Sequence, residues 1–183
     1  MTLGLDVQIK TDLVTEPVTL AEAKSYLNVD YTSWDTLITT LISSARTNLE
    51  RYTGSTFATK TLVATFQKVA ENIDIPYGPI QSITSVKSID ETGVKTTLVA
   101  GTDYLVTGNN FKNIRFYGGI DTPIEIEYVA GYTVLPADLK VAILKQVAMD
   151  FEFRENVLDS SQVTELSNGA KQHAQSYRRV YLF

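Results

Sequence analysis

The chain has no cysteine among its 183 residues. Disulfides and thiolate metal or nucleophile sites are therefore excluded, and no redox compartment is implied. Histidine occurs once, at His173, in a Lys- and Gln-rich polar stretch. A zinc site needs three or four converging ligands, so His173 is expected to be a solvated residue, and no metal or cofactor is expected. Cationic excess is also missing. Sixteen Lys and Arg stand against 21 Asp and Glu, a net charge of −5, which argues against the clustered basic face that grips nucleic acid. No apolar run approaches the about 18–20 residues of a membrane span, and the opening "MTLGLDVQIKTDLVTEPV" has neither a basic start nor an apolar stretch of signal-peptide type. A soluble protein, made in a cytoplasm, is expected. Phosphate-cradling Gly-rich loops and the Gly-x-Ser-x-Gly elbow are absent too; Gly118-Gly119 lies between strand-like runs and reads as a turn.

What is present is an ordinary globular composition, 44% hydrophobic and 20% charged, long enough for a sizeable core. Residues 1–16 carry no clear period and read as an arm. "TLAEAKSYLNVD" (19–30) reads as a short helix: Thr19 and Glu22 have capping-box spacing, and Leu20, Ala23 and Leu27 share a narrow face. Two turns are not stable alone, so this helix needs something to lean on. "TSWDTLITTLISSARTNLERYTG" follows, with Thr32 as the expected cap and a stripe of Leu37, Ile38, Leu41, Ile42, Ala45, Leu49 and Tyr52. Gly54 suits its stop.

From about 57 to 131 the pattern changes to short runs rich in Thr, Val, Ile and Tyr. "TLVATFQKV", "NIDIP", "ITSVKSI", "TTLV", "DYLVT", "NIRFY" and "IEIEYV" read as strands, and "DETG", "VTGNN" and "YGGID" as turns. Their close spacing favours antiparallel hairpins. Helix returns at "LPADLKVAILKQVAMDFEFRENV", with Pro136 suited to the first helical position. Its apolar residues exceed one stripe, which marks a helix buried on several sides. The expected architecture is α+β: a small helical bundle (19–54 and 136–177) carrying an antiparallel β insert, in one domain with a C-terminal tail at 177–183.

Candidate sites are few. Glu125 and Glu127 share one strand face; an acid pair for glycoside chemistry and a solvated face are the two readings, and the solvated face is preferred. No catalytic residue is assigned. The second helix shows Thr36, Thr39, Thr40, Ser43, Ser44 and Thr47 on its non-core face. Solvated faces more often carry Lys, Glu and Gln, and short hydroxyl side chains let another surface approach, so this face is a candidate subunit contact. The tail "SYRRVYLF" places Tyr177, Arg178, Arg179, Val180, Tyr181, Leu182 and Phe183 at a chain end that is normally polar. Such residues return to their own core or dock on a partner, and partner binding is the expectation.

"PVTLAEAKSYLNVD", "DTLITTLISSARTNLERYTG", "LPADLKVAILKQVAMDFEFRE" and the closing "YRRV", in that order and spacing, resemble the head–tail connector (adaptor) family of tailed bacteriophages; "IPYGPIQSITSV" and "VAGY" are similar to its form with a β insert. The resemblance covers 17–54, 135–155 and 177–180. It implies a non-enzymatic structural protein of the virion neck, assembled from the host cytoplasm into a ring, commonly of twelve copies. Such a ring docks on the portal protein after DNA packaging and extends the DNA channel. It also offers a platform to the next neck or tail-completion protein. DNA would pass without specific binding, which suits an acidic chain. A standalone cytoplasmic enzyme and a small β-rich binding module are the alternatives.

Overall fold

The computed structural model describes residues 4–118, 120, 122–153 and 166–179. It is an α+β fold whose described residues form two compact units. One comprises Val14–Thr53 with Val134–Arg179; the other comprises residues 4–13 with Gly54–Thr133. Among the described residues no helix is long and apolar enough to cross a membrane.

The first unit is helical. In α1 (Leu20–Leu27) the Thr19 hydroxyl accepts the Glu22 N–H at 3.2 Å, and the Glu22 carboxylate accepts the Thr19 N–H at 2.9 Å. This is the reciprocal cap read from the sequence. Asn28, at φ 56°, ends the helix in the left-handed region. Support for so short a helix comes from α2 (Asp35–Thr53) and α3 (Ala137–Glu152), against which it packs through the fully buried Ala23. Lys140 of α3 adds an ion pair to Glu22 at 2.6 Å, and Lys24 reaches Asp35 at 2.6 Å.

Helix α2 begins at Asp35, not in the turn directly after Thr32: the Asp35 N–H donates to the Thr32 carbonyl. Likewise Pro136 is the residue before α3, not its first. Helix ends shift by a residue or two in this way. The α2 stripe is deepest at Ile38, Ile42, Ala45 and Leu49, with Leu37, Leu41 and Tyr52 half-buried. Helix α3 packs against α1, α2 and α4 (Asn168–Ala174) and buries Leu139, Ala142, Ile143 and Val147. Trp34 and Phe151 close the bundle edge-to-face, 5.9 Å apart. Buried Gln146 of α3 accepts the Ser167 N–H at 2.8 Å, and Ser167 in turn caps α4 through the Ala170 N–H.

The second unit holds eight strands: β1 (Leu5–Thr11), β2 (Lys60–Phe66), β3 (Asn72–Asp74), β4 (Ile80–Ile89), β5 (Lys95–Thr97), β6 (Tyr104–Thr107), β7 (Asn113–Phe116) and β8 (Ile124–Ala130). Five form a sheet ordered β1-β2-β8-β4-β5, three a sheet ordered β3-β7-β6, and every neighbouring pair is antiparallel. Strands β2 and β8 alternate buried and half-buried residues, as a strand with one covered face must. Leu62, Ala64, Phe66, Ile124, Ile126 and Tyr128 meet Ile73, Ile114 and Phe116 of the smaller sheet in one apolar core.

The segment expected to be an arm contains β1. Leu5, Val7 and Ile9 alternate with Asp6, Gln8 and Lys10, and pairing on β2 gives that alternation a surface to cover. The two insert motifs meet in one joint. The Gly131 N–H donates to the Pro79 carbonyl at 2.8 Å, Gln81 Nε2 to the Gly131 carbonyl at 2.9 Å, and the buried Tyr128 hydroxyl to the Pro76 carbonyl at 3.0 Å. Gly131 has φ +117°, and a Cβ there would strike the Ala58 carbonyl, so only glycine fits.

Candidate functional site

The carboxylates of Glu125 and Glu127 do share one face of β8, but neither is freely solvated. Each is less than one-fifth exposed and is met by a lysine from another strand. Lys10 of β1 holds both Glu127 oxygens at 2.8 Å, and Lys95 of β5 holds Glu125 at 2.6 Å. An acid pair for glycoside chemistry must keep its carboxyl groups free to meet a substrate, and here both are engaged by lysines of neighbouring strands. The face is a lattice of ion pairs across the sheet.

His173 likewise differs from a solvated residue. Packing of α4 on α3 half-buries it, with Lys145 Nζ 3.1 Å from Nε2 and an Asp138 oxygen 3.6 Å from Nδ1. A lysine ammonium can only donate, so Nε2 accepts and the ring proton belongs on Nδ1, facing Asp138. Among the described residues no group of three or more His, Asp or Glu could hold a metal ion.

The polar face of α2 presents Thr36, Thr39, Thr40, Ser44 and Thr47 exposed, with Ser43 half-buried. Three hydroxyls donate to their own helix: Thr39 to the Asp35 carbonyl at 2.8 Å, Thr40 to that of Thr36 at 3.0 Å, and Thr47 to that of Ser43 at 2.9 Å. These internal bonds hold the hydroxyls against the helix. The result is a low surface carrying methyl groups, with no long side chain to clear before another surface approaches.

Sequence reasoning missed the charged cluster on the flank of that same hydroxyl face, where Arg46 lies three residues after Ser43 and seven after Thr39. Arg46, 5% exposed, donates through Nε to Glu16 at 2.7 Å and through a terminal nitrogen to Glu50 at 2.8 Å. Burial alone would depress its pKa; the hydrogen bond it donates to Glu16 and the charge of Glu50 outweigh that and raise it. The Arg46–Glu50 spacing of four was the available signal; Glu16, thirty residues away, gave none.

The tail begins on the end of α2. Tyr177 closes a 3₁₀ turn (Gln175–Tyr177), Arg178 places its guanidinium 5.3 Å from the Tyr52 ring centroid, and the Arg179 N–H donates to the Thr53 carbonyl at 2.7 Å. That last bond satisfies a carbonyl that a helix end leaves unpaired. Val180, Tyr181, Leu182 and Phe183 lie outside the described residues.

Residues 17–98, from before α1 to just past β5, match the family described as Phage gp6-like head-tail connector protein. No curated protein matches the sequence. The fold is similar to a chain from the neck of an empty gene transfer agent particle computed with C6 symmetry (TM-score 0.79, 17% identity, 97% of each chain covered). It is similar to a chain from the native particle's virion (0.78, 17%, 97% of each). A chain from the native neck computed with C12 symmetry matches to the same extent (0.76, 18%, 97% of each). The protein thus carries the head–tail connector sequence pattern over residues 17–98 and the fold of a particle-neck subunit over nearly its whole length.

Proposed function

We propose that this protein is a structural subunit of the neck of a tailed-phage-like particle, where copies of it form a ring at the head–tail interface. The observation that carries the reading is the coincidence of two independent likenesses: the connector pattern over residues 17–98 and the neck-subunit fold over 97% of the chain. Neighbours from necks computed with C6 and C12 symmetry support a ring of twelve. The role is architectural: the ring binds the portal after packaging, extends the DNA channel and receives a downstream neck or tail-completion protein. A net charge of −5 suits a channel wall along which phosphates slide.

Two surfaces are assigned within this reading. The low face of Thr36, Thr39, Thr40, Ser43, Ser44 and Thr47 contacts the adjacent copy. The segment Tyr177, Arg178, Arg179, Val180, Tyr181, Leu182 and Phe183 meets the portal; its aromatic and Arg content is typical of contact residues. Cryo-EM of purified particle necks tests the whole reading: a ring of this chain next to the portal is expected, and particles whose necks lack it would overturn the assignment. Replacing Thr40 and Ser44 together by Arg should leave the free subunit's melting unchanged and block ring assembly. Truncation after Arg179 keeps the bond to Thr53; it should spare melting and abolish portal binding.

A further inference from the structure

The five-stranded sheet ends in two different open edges. On one side, the Gln67 N–H donates to the Gly4 carbonyl at 3.0 Å, which sets the phase of the β1–β2 ladder. Gly4, Asp6 and Gln8 therefore face β2, and the N–H and C=O groups of Leu5, Val7 and Ile9 face outward. On the other side, the Leu98 N–H bonds the Val86 carbonyl and the Asp90 N–H bonds the Val94 carbonyl. Lys95 and Thr97 then direct their backbone groups away from β4. Among the described residues no strand pairs with either edge.

Native sheets cover or blunt such edges. Here the blunting is partial, a short β5 and one lysine on each edge strand, Lys10 and Lys95, and both edges are flanked by exposed β-branched side chains: Ile9 at 55%, Val94 at 58% and Val99 at 58%. The order β1-β2-β8-β4-β5 contains four antiparallel steps, so β1 and β5 run in the same direction. A copy rotated about an axis along the strands would present its β1 parallel to the first copy's β5. Rotational rings need two unlike patches on each subunit, one to give and one to receive; two unlike edges of one sheet meet that need. Pairing of β1 with another β1 would use one edge twice and close a two-fold dimer.

We infer that adjacent copies join by strand addition: β5 of one subunit pairs in parallel with β1 of the next, making a continuous sheet around the ring. This rests on the ring proposed above. The ladder is short, because β5 has three residues and the β1 register breaks between Ile9 and Thr11. So few bonds cannot offset the freedom lost on association, so the pairing forms when a template holds the copies together, and the free subunit is monomeric.

The absence of cysteine makes a clean test. Gln8, Thr97 and Lys95 are exposed, and register and ion pairs put them on the same sheet face as Glu125 and Glu127. Gln8→Cys is combined with Thr97→Cys or with Lys95→Cys, two registers of the same ladder, in assembled necks under oxidation. One double variant should give a ladder of covalent dimers, trimers and higher species, while each single variant gives none. An intact ring without a ladder in either pair, or strong dimers from Gln8→Cys alone, would overturn the inference and leave the ring standing. Absence of a ring of this chain from wild-type necks would overturn the functional reading instead. Should the variants assemble poorly, the wild-type neck map decides: backbones of residues 5–9 and 95–97 from adjacent copies should lie about 4.8 Å apart, and separation beyond about 10 Å refutes the pairing.

Discussion

Glu16 and Glu50 of the helical unit hold the buried guanidinium of Arg46 between them, whereas Lys10 and Lys95 of the β unit reach Glu127 and Glu125 with half their own surface in solvent. The contrast extends to the cores. The β unit gathers fourteen buried apolar side chains in one cluster sealed by two sheets, and most of its ion pairs lie at the surface, the buried Lys60 near Asp12 excepted. In the helical unit the charged pairs join separate segments: Lys24 ties α1 to α2, Lys140 ties α3 to α1, and Arg46 ties α2 to the chain before α1. A two-turn helix has too little apolar face to fix its own position, and ion pairs in partly desolvated settings do that work.

Core truncation is the severest check on this contrast. Phe66→Ala should cost about 3–5 kcal/mol and Ile143→Ala about 2–5 kcal/mol in urea unfolding; a small loss for either would show that its unit does not rely on apolar packing. Next comes Arg46→Met, which strands two carboxylates. A loss of about 3 kcal/mol is expected, and a neutral result would erase the distinction between the units' ion pairs. Thr19→Ala removes the cap of α1 and should lower stability by about 1 kcal/mol, read as a shift in thermal midpoint. Glu127→Gln, the β-unit counterpart of the Arg46 test, should change stability by less than about 1 kcal/mol.

The smallest effects are in the pH slope of the helical unit, where two carboxylates act with opposite sign. Glu22 is held down at about 2, first by the hydrogen bond from Lys140 and then by the Thr19 N–H. Its contribution is present above about 4.5 and lost as pH falls toward 2, so Glu22→Gln should flatten the acid limb of a melting profile. Asp150 is pushed up by burial, against the opposing bond from Gln146. The folded state then prefers the protonated acid, and stability falls as pH rises through that range. Asp150→Asn should therefore raise the melting temperature at neutral pH but not at acid pH; an equal gain at both would show that charge is not the cause.

Local patterns were legible. The Thr19–Glu22 cap, the α2 stripe and the alternation in β8 each depend on neighbours within a few residues, and each appears where the period put it. Features set by distant partners were not. Strand β1 has only seven residues, and its alternation means little without β2 fifty residues later. His173 acquires Lys145 and Asp138 only when α4 packs on α3. The "IPYGP" and "VAGY" motifs could be recognised separately, but nothing in their spacing said that Gly131 would bond Pro79. At the proposed contact face, the hydroxyl-rich composition was visible, while the hydroxyls' bonds to their own helix required coordinates.

Each unit is assembled from pieces of chain separated by the other, with passages after Leu13, Thr53 and Thr133. That interleaving sets a timetable for biosynthesis. Leu5 leaves the ribosome about sixty residues before its partner Phe66; at roughly 5–20 residues per second the first strand waits about 3–12 s for a surface to join. Helix α1 waits longer, because Lys140 is synthesised near the end. Neither unit can be expressed as one uninterrupted fragment. Nascent chains stalled before β8 should expose an unfinished sheet and recruit chaperones, whereas release of the whole chain lets both units close together.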